Sequence, residues 1–101
     1  VKRLSEERGE VDELRRQIMD ATLDVLKAIR RRVELVERLG EVKRRMGVPL
    51  RDLDVEKTVV LRVREEAERM GLDPEFCGKI AEMLIEYSVK VQERIIGGKE
   101  G

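Results

Sequence analysis

The sequence has no histidine, no tryptophan and no asparagine, and one tyrosine and one phenylalanine in 101 residues. Without histidine there can be no imidazole-based catalytic triad, and the commonest metal ligand is missing. The single Cys77 cannot close an internal disulfide, and it reads as a small apolar side chain rather than a nucleophile. Aromatics at 2% and charged residues at 44% disfavour a sheet protein and favour helices with solvated faces. Basic and acidic residues number 22 each. At zero net charge a general nucleic-acid binder is disfavoured, and any positive charge must act locally. There is no apolar run of membrane length and no signal-peptide pattern, so no membrane partner and a cytoplasmic location are expected. The missing asparagine, the two glutamines and the many charges are compatible with a thermophilic source.

What is present is helical periodicity. At this length a single domain over 1–101 is expected, with its core from about residue 10 to 96 and help from oligomerisation. From Val11 to Met46 apolar residues recur with heptad spacing. Val11, Ile18, Val25, Leu39 and Met46 form one row, and Leu14, Ala21, Ala28, Leu35 and Val42 form the other. Such rows are the seam of a long helix packed on other helices. The helix is expected to begin between Leu4 and Glu10, with Gly9 fraying or interrupting it, and to stop at Gly47. Gly40, inside it, costs roughly 1 kcal/mol against alanine. A second helix is expected from about Leu53 to Met70, capped by Asp52 or Asp54 and ended by Gly71. Its buried stripe would be Leu53, Val60, Val63, Ala67 and Met70. Asp73-Pro74-Glu75 starts a third helix that runs to about Ile96, with Phe76, Ile80, Leu84, Tyr87 and Val91 along its apolar face. The tail at 97–101 is expected to be disordered. The fold class is therefore all-α, with one long and two shorter helices.

Arg32 breaks the first heptad row. A guanidinium aimed into a seam costs several kcal/mol, in order of magnitude, unless an anion or carboxylate meets it. Along a straight helix Arg32 and Lys43 lie roughly 16 Å apart and nearly on one face, so the two long side chains can grip one small anion. Arg15 lies roughly 26 Å from Arg32, too far to join unless a second copy of the helix runs antiparallel. A two-fold axis near Val25 and Leu26 would then create two equivalent anion sites. Other polar residues leave two readings open. Asp52 and Glu56 supply either a cap with favourable charge at a helix start, or a carboxylate and nearby amide for a substrate hydroxyl. Ser88 and Gln92, one turn apart beside the apolar face, are either tolerated boundary residues or donors to a ligand.

Taken together, the stretches Leu14-Arg15-Arg16-Gln17-Ile18, Arg32-Val33-Glu34-Leu35 and Gly40-Glu41-Val42-Lys43 resemble the all-helical, AroQ-class chorismate mutases. The resemblance continues through Pro49-Leu50-Arg51-Asp52-Leu53-Asp54 with Glu56, and through Ile85-Glu86-Tyr87-Ser88-Val89-Lys90-Val91-Gln92. It implies an intertwined homodimer of three-helix chains that rearranges chorismate to prephenate in aromatic amino-acid biosynthesis, without cofactor or metal. It also implies roles. Arg15 would cross from the partner chain, while Arg32, Lys43, Asp52, Glu56, Ser88 and Gln92 would come from the home chain. Lys43 and Gln92 would donate to the ether oxygen, with Arg32 also catalytic. Val55 stands where many relatives carry arginine, and Thr22 where many carry aspartate. An isochorismate pyruvate-lyase on the same scaffold and a non-catalytic helical dimerisation module are the alternatives.

Overall fold

Residues 2–97 are described by the computed structural model, and they form three α-helices. Helix α1 spans Lys2–Met46, α2 spans Leu53–Arg69 and α3 spans Pro74–Ile96. No strand occurs among the described residues, so the all-α class stands. They gather into two compact units, one ending at Arg32 and the other starting at Val33. The expectation of a disordered tail falls on residues 98–101, outside the described residues, except at Gly97, which caps α3.

The helix boundaries follow from local chemistry. Helix α1 starts at Lys2, earlier than expected, and passes through Gly9 without a break. Gly9 is exposed with open space around it, so its only cost there is backbone entropy. The helix ends with Lys43, Arg44 and Arg45 in its last turn, where their charge offsets the carbonyl end of the dipole. Gly47, at φ 69°, then turns the chain away, its N–H donating to the Lys43 carbonyl at 2.9 Å. At the start of α2 the cap is Asp52, whose Oδ1 accepts from the N–H groups of Asp54 and Val55. At its end Gly71 adopts φ 75°, while Leu72 N–H donates to the Ala67 carbonyl at 2.8 Å and Gly71 N–H to that of Glu68 at 3.1 Å. That pair of bonds is a Schellman motif. Asp73 caps α3, with Pro74 at the first helical position.

The core lies within the second unit, and small residues set it. Helices α2 and α3 pack through Ala67, Ala81, Ile85 and Val89, all at most 9% exposed. Gly78 of α3 is covered by the Arg64 side chain of α2, which occupies the space a Cβ would need. The buried row of α3 is Ala81, Ile85, Ser88 and Gln92, flanked by Val89 and Val91. This corrects the expected face: of that stripe Val91 is buried and Leu84 half-buried, while Phe76, Ile80 and Tyr87 are exposed. On α2, Ala67 is buried and Val60 and Val63 are half-buried, but Leu53 and Met70 are more than 60% exposed. On α2 the two exposed members are the first residue and the C-cap, at the ends of the stripe. On α3 the inward row is set one position further round the helix than the expected one, which leaves Phe76, Ile80 and Tyr87 outside in the single chain. Both heptad rows of α1 are likewise exposed in the single chain, from Val11 and Leu14 to Val42 and Met46.

Gly40 is the buried residue of α1. A Cβ there would sit 3.4 Å from Ile95 Cδ1 and 3.5 Å from Gln92 Cγ, so α3 approaches to within one methyl group of the α1 backbone. Alanine at Gly40 fits at ordinary contact distance, and Gly40→Ala should be neutral or gain up to about 1 kcal/mol from helix propensity. Gly40→Leu should lose about 1–3 kcal/mol through overpacking. Urea unfolding followed by circular dichroism reads both, and a leucine variant as stable as the alanine one would rule out the close approach.

Candidate active site

Five of the sequence-predicted residues lie in the second unit, on all three of its helical segments: Lys43, Asp52, Glu56, Ser88 and Gln92. The contact of Gly40 with Gln92 puts α3 against the last turns of α1. Lys43 follows Gly40 by three residues and so lies on the same side of that helix. Its half-buried Nζ donates to the Leu50 carbonyl at 2.6 Å, which ties the connector after α1 back onto the helix. An ammonium has three donors, so two remain for a ligand.

The connector delivers the acidic groups. The Asp52 carboxylate is engaged by the α2 backbone as its cap, which realises the capping reading for that side chain. Its carbonyl accepts from Glu56 N–H at 3.0 Å as the helix begins. The Glu56 carboxylate is gripped by Arg51, whose Nε donates to Oε2 at 3.0 Å and Nη2 to Oε1 at 2.7 Å. The fork holds the Glu56 carboxyl below the usual carboxylate range, while burial pushes the other way; the charge of Lys43 adds to the lowering and that of Asp52 opposes it. Since the folded pKa is depressed, the stability it contributes is complete above the ordinary carboxylate range and is lost as pH falls through the lowered value. The same hydrogen bonds raise the pKa of Arg51.

On α3, Ser88 and Gln92 are buried, at 8% and 5% exposure. Ser88 Oγ donates to the Leu84 carbonyl at 2.8 Å. Gln92 Nε2 donates to the Ser88 carbonyl at 3.3 Å, a long bond that uses one of its two N–H groups. Its Oε1 is buried and has no hydrogen-bond partner among the described residues. Leaving such an atom unsatisfied costs about 1–3 kcal/mol, so a helix interior selected for packing alone would favour leucine or methionine at this position. No group of three or more potential metal-ligating side chains occurs among the described residues. Nor is any described helix long and apolar enough to cross a membrane.

Over residues 14–93 the chain matches the family chorismate mutase type II, a span that contains all seven predicted site positions. The chain belongs to that family. It is similar to a chorismate mutase of Methanocaldococcus jannaschii, 29% identical over 84 residues, which cover 83% of this chain and 85% of the relative. It is also similar to a T-protein of Enterobacter agglomerans, 36% identical over 67 residues, which cover 66% of this chain and 18% of that protein. No solved structure matches the chain.

Within this chorismate mutase type II chain the remaining two site positions belong to the first unit. Arg15 is exposed on α1, and Arg32 is half-buried near that unit's end, where burial lowers its pKa. Thr22, at the other family departure, turns its hydroxyl onto its own helix, donating to the Ile18 carbonyl at 2.8 Å. Val55 is exposed. The residue that sequence reasoning passed over is Arg51. It lies five positions before Glu56 across a helix cap, a spacing that no helical pairing rule singles out. Removing the cap has a calculable cost: Asp52→Ala should lower unfolding stability by about 1 kcal/mol. Asp52→Ser keeps a side-chain acceptor and should restore most of that loss. Thermal unfolding of the two variants side by side checks it, and equal stabilities would show that the carboxylate does not cap α2.

Proposed function

We propose that this chain is a chorismate mutase, catalysing the cofactor-independent rearrangement of chorismate to prephenate. The observation that carries the reading is the chorismate mutase type II match across 14–93, which takes in every candidate site residue. Chorismate bears two carboxylates. As its enolpyruvyl group shifts, the ether C–O bond breaks and negative charge grows on that oxygen. The reaction needs a held reactive conformer and donors aimed at the developing charge, rather than a nucleophile. Arg32 and the partner subunit's Arg15 meet the carboxylates, because guanidinium presents paired donors. Lys43 and the second N–H of Gln92 donate to the ether oxygen. Glu56, with the backbone beside Asp52, accepts the ring hydroxyl, and Ser88 assists a carboxylate.

A homodimer with two shared sites completes this arrangement, and one folded domain then spans the chain. Its support is the exposed apolar face of α1. Side chains such as Leu14, Ile18, Val25 and Leu39 are 47–64% exposed in the single chain. Each large apolar side chain transferred from water to a packed seam stabilises by about 1.5–3 kcal/mol. An antiparallel second copy of α1 covers these rows and brings the partner's Arg15 near the home site.

Incubation with chorismate should consume its ultraviolet absorbance and give prephenate, identified as phenylpyruvate after acid treatment. Failure of the intact dimer to do so would overturn the reading. Subunit mixing tests the shared site. Arg15→Ala and Arg32→Ala should each be inactive alone, yet recover part of the activity when mixed. One site of the mixed dimer then has both arginines, and the other lacks both. If verified subunit exchange restores nothing, the two residues do not meet across a dimer.

Gln92 makes a separate prediction about pH. Its amide donor does not titrate, so its contribution to the wild-type rate should vary little between about pH 6 and 8. Gln92→Glu places a carboxylate where negative charge develops, and it should be poor at neutral pH. Activity should return as pH falls toward the glutamic acid range and the side chain regains a donor. A flat, wild-type-like profile for this variant would remove residue 92 from the reacting oxygen.

A further inference from the structure

Arg51 has no part in the chemistry above, yet it makes more side-chain hydrogen bonds than Lys43 or Gln92. Its Nε and Nη2 fork onto the two oxygens of Glu56, at 3.0 and 2.7 Å, and the same Nη2 reaches Glu86 Oε2 of α3 at 2.9 Å. We propose that Arg51 is a positioning residue for the mutase reaction. It locks the Glu56 carboxylate in the orientation that receives the ring hydroxyl, and it neutralises that carboxylate beside a doubly negative substrate. The proposal rests on the reading of Glu56 as the hydroxyl acceptor.

Geometry and charge both favour this role. A carboxylate oxygen has two acceptor sites, so a fork that takes one on each oxygen leaves capacity for a hydroxyl. Without the fork, Glu56 would be a flexible side chain whose charge repels an incoming dianion. The two legs are unequal. The Glu56 side chain is 20% exposed, whereas that of Glu86 is 61% exposed. Solvent screens the Glu86 leg, which leaves the Glu56 leg as the stronger. The remaining charges around Glu56 are Lys43 of α1 and the capping Asp52. Lys57 and Arg64 of α2, with Glu82 and Glu86 of α3, line the same open groove between those helices. Among the groups that favour ionised Glu56, Arg51 has the largest effect.

The test is a double-mutant cycle on the intact enzyme. Arg51→Ala should lower kcat/KM about tenfold to a hundredfold. The loss should fall mainly in KM, because a hydroxyl held equally in ground and transition states contributes uniform binding. In a Glu56→Gln background the same substitution should change kcat/KM less than about twofold, since the group it acts through is gone. Additive losses would overturn the proposal. Glu56→Gln with wild-type kinetics would instead overturn the reading of Glu56 on which it rests. Arg51→Lys keeps the charge without the fork and should lie between wild type and alanine. It also serves as the variant if alanine fails to fold, and wild-type kinetics in the lysine variant would sink the fork. The Glu56 carboxyl, followed by carbon-13 NMR, should titrate at higher pH in either variant than in wild type, and an unmoved midpoint would count against Arg51.

Discussion

The contact between Gly40 and the α3 side chains of Gln92 and Ile95 is the constraint on which the second unit's site depends. A methyl would just fit at Gly40 and a larger side chain would not, so the aliphatic stem of Gln92 lies against that helix. Gln92 thus touches α1 at Gly40, three residues before Lys43 on that helix. Lys43 then binds the Leu50 carbonyl, and the connector that carries Arg51 and Asp52 is drawn to the same end. The small residue at position 40 thus bears on the placement of polar groups from three segments.

A second constraint is charge. The proposed substrate is a dianion, and in the proposed site the second unit would meet it with a half-buried lysine, a neutral amide and a carboxylate. Glu56 would oppose binding if it stood bare. Its bidentate pairing with Arg51 would offset that repulsion, and it leaves acceptor capacity on the carboxylate oxygens. The buried, unsatisfied Oε1 of Gln92 fits the same pattern. A polar side chain held inside at a cost to stability is characteristic of a site that recognises a ligand, whereas a packing module would have an apolar residue there.

The apolar surface of α1 bears on assembly. A helix of 45 residues with two apolar rows in water is a poor final state for a single chain. The proposed antiparallel pairing would bury those rows and give Arg15 a place in the chemistry. The bulky row of α3, with Phe76, Ile80 and Tyr87, is also exposed and offers further surface for the second copy.

Much of this protein could be read from the sequence because its controlling signals are local. Gly47, Gly71 and the Asp73-Pro74 pair set helix ends through backbone dihedrals and caps that act within a few residues. Heptad spacing identified α1 for the same reason. Lys43, Glu56, Ser88 and Gln92 could be nominated as site residues because their order and spacing are a linear property of the chain. Local spacing did not decide which face of α3 turns inward. Sequence pattern favoured the bulkiest row, but the row buried in the tertiary structure is Ala81, Ile85, Ser88 and Gln92, one position further round the helix. Nor could it explain Gly40, whose partners lie more than fifty residues away in α3. Arg51 was hidden for a related reason: its fork onto Glu56 and Glu86 depends on how the connector bends between helices, and only the tertiary structure brings those carboxylates to one guanidinium.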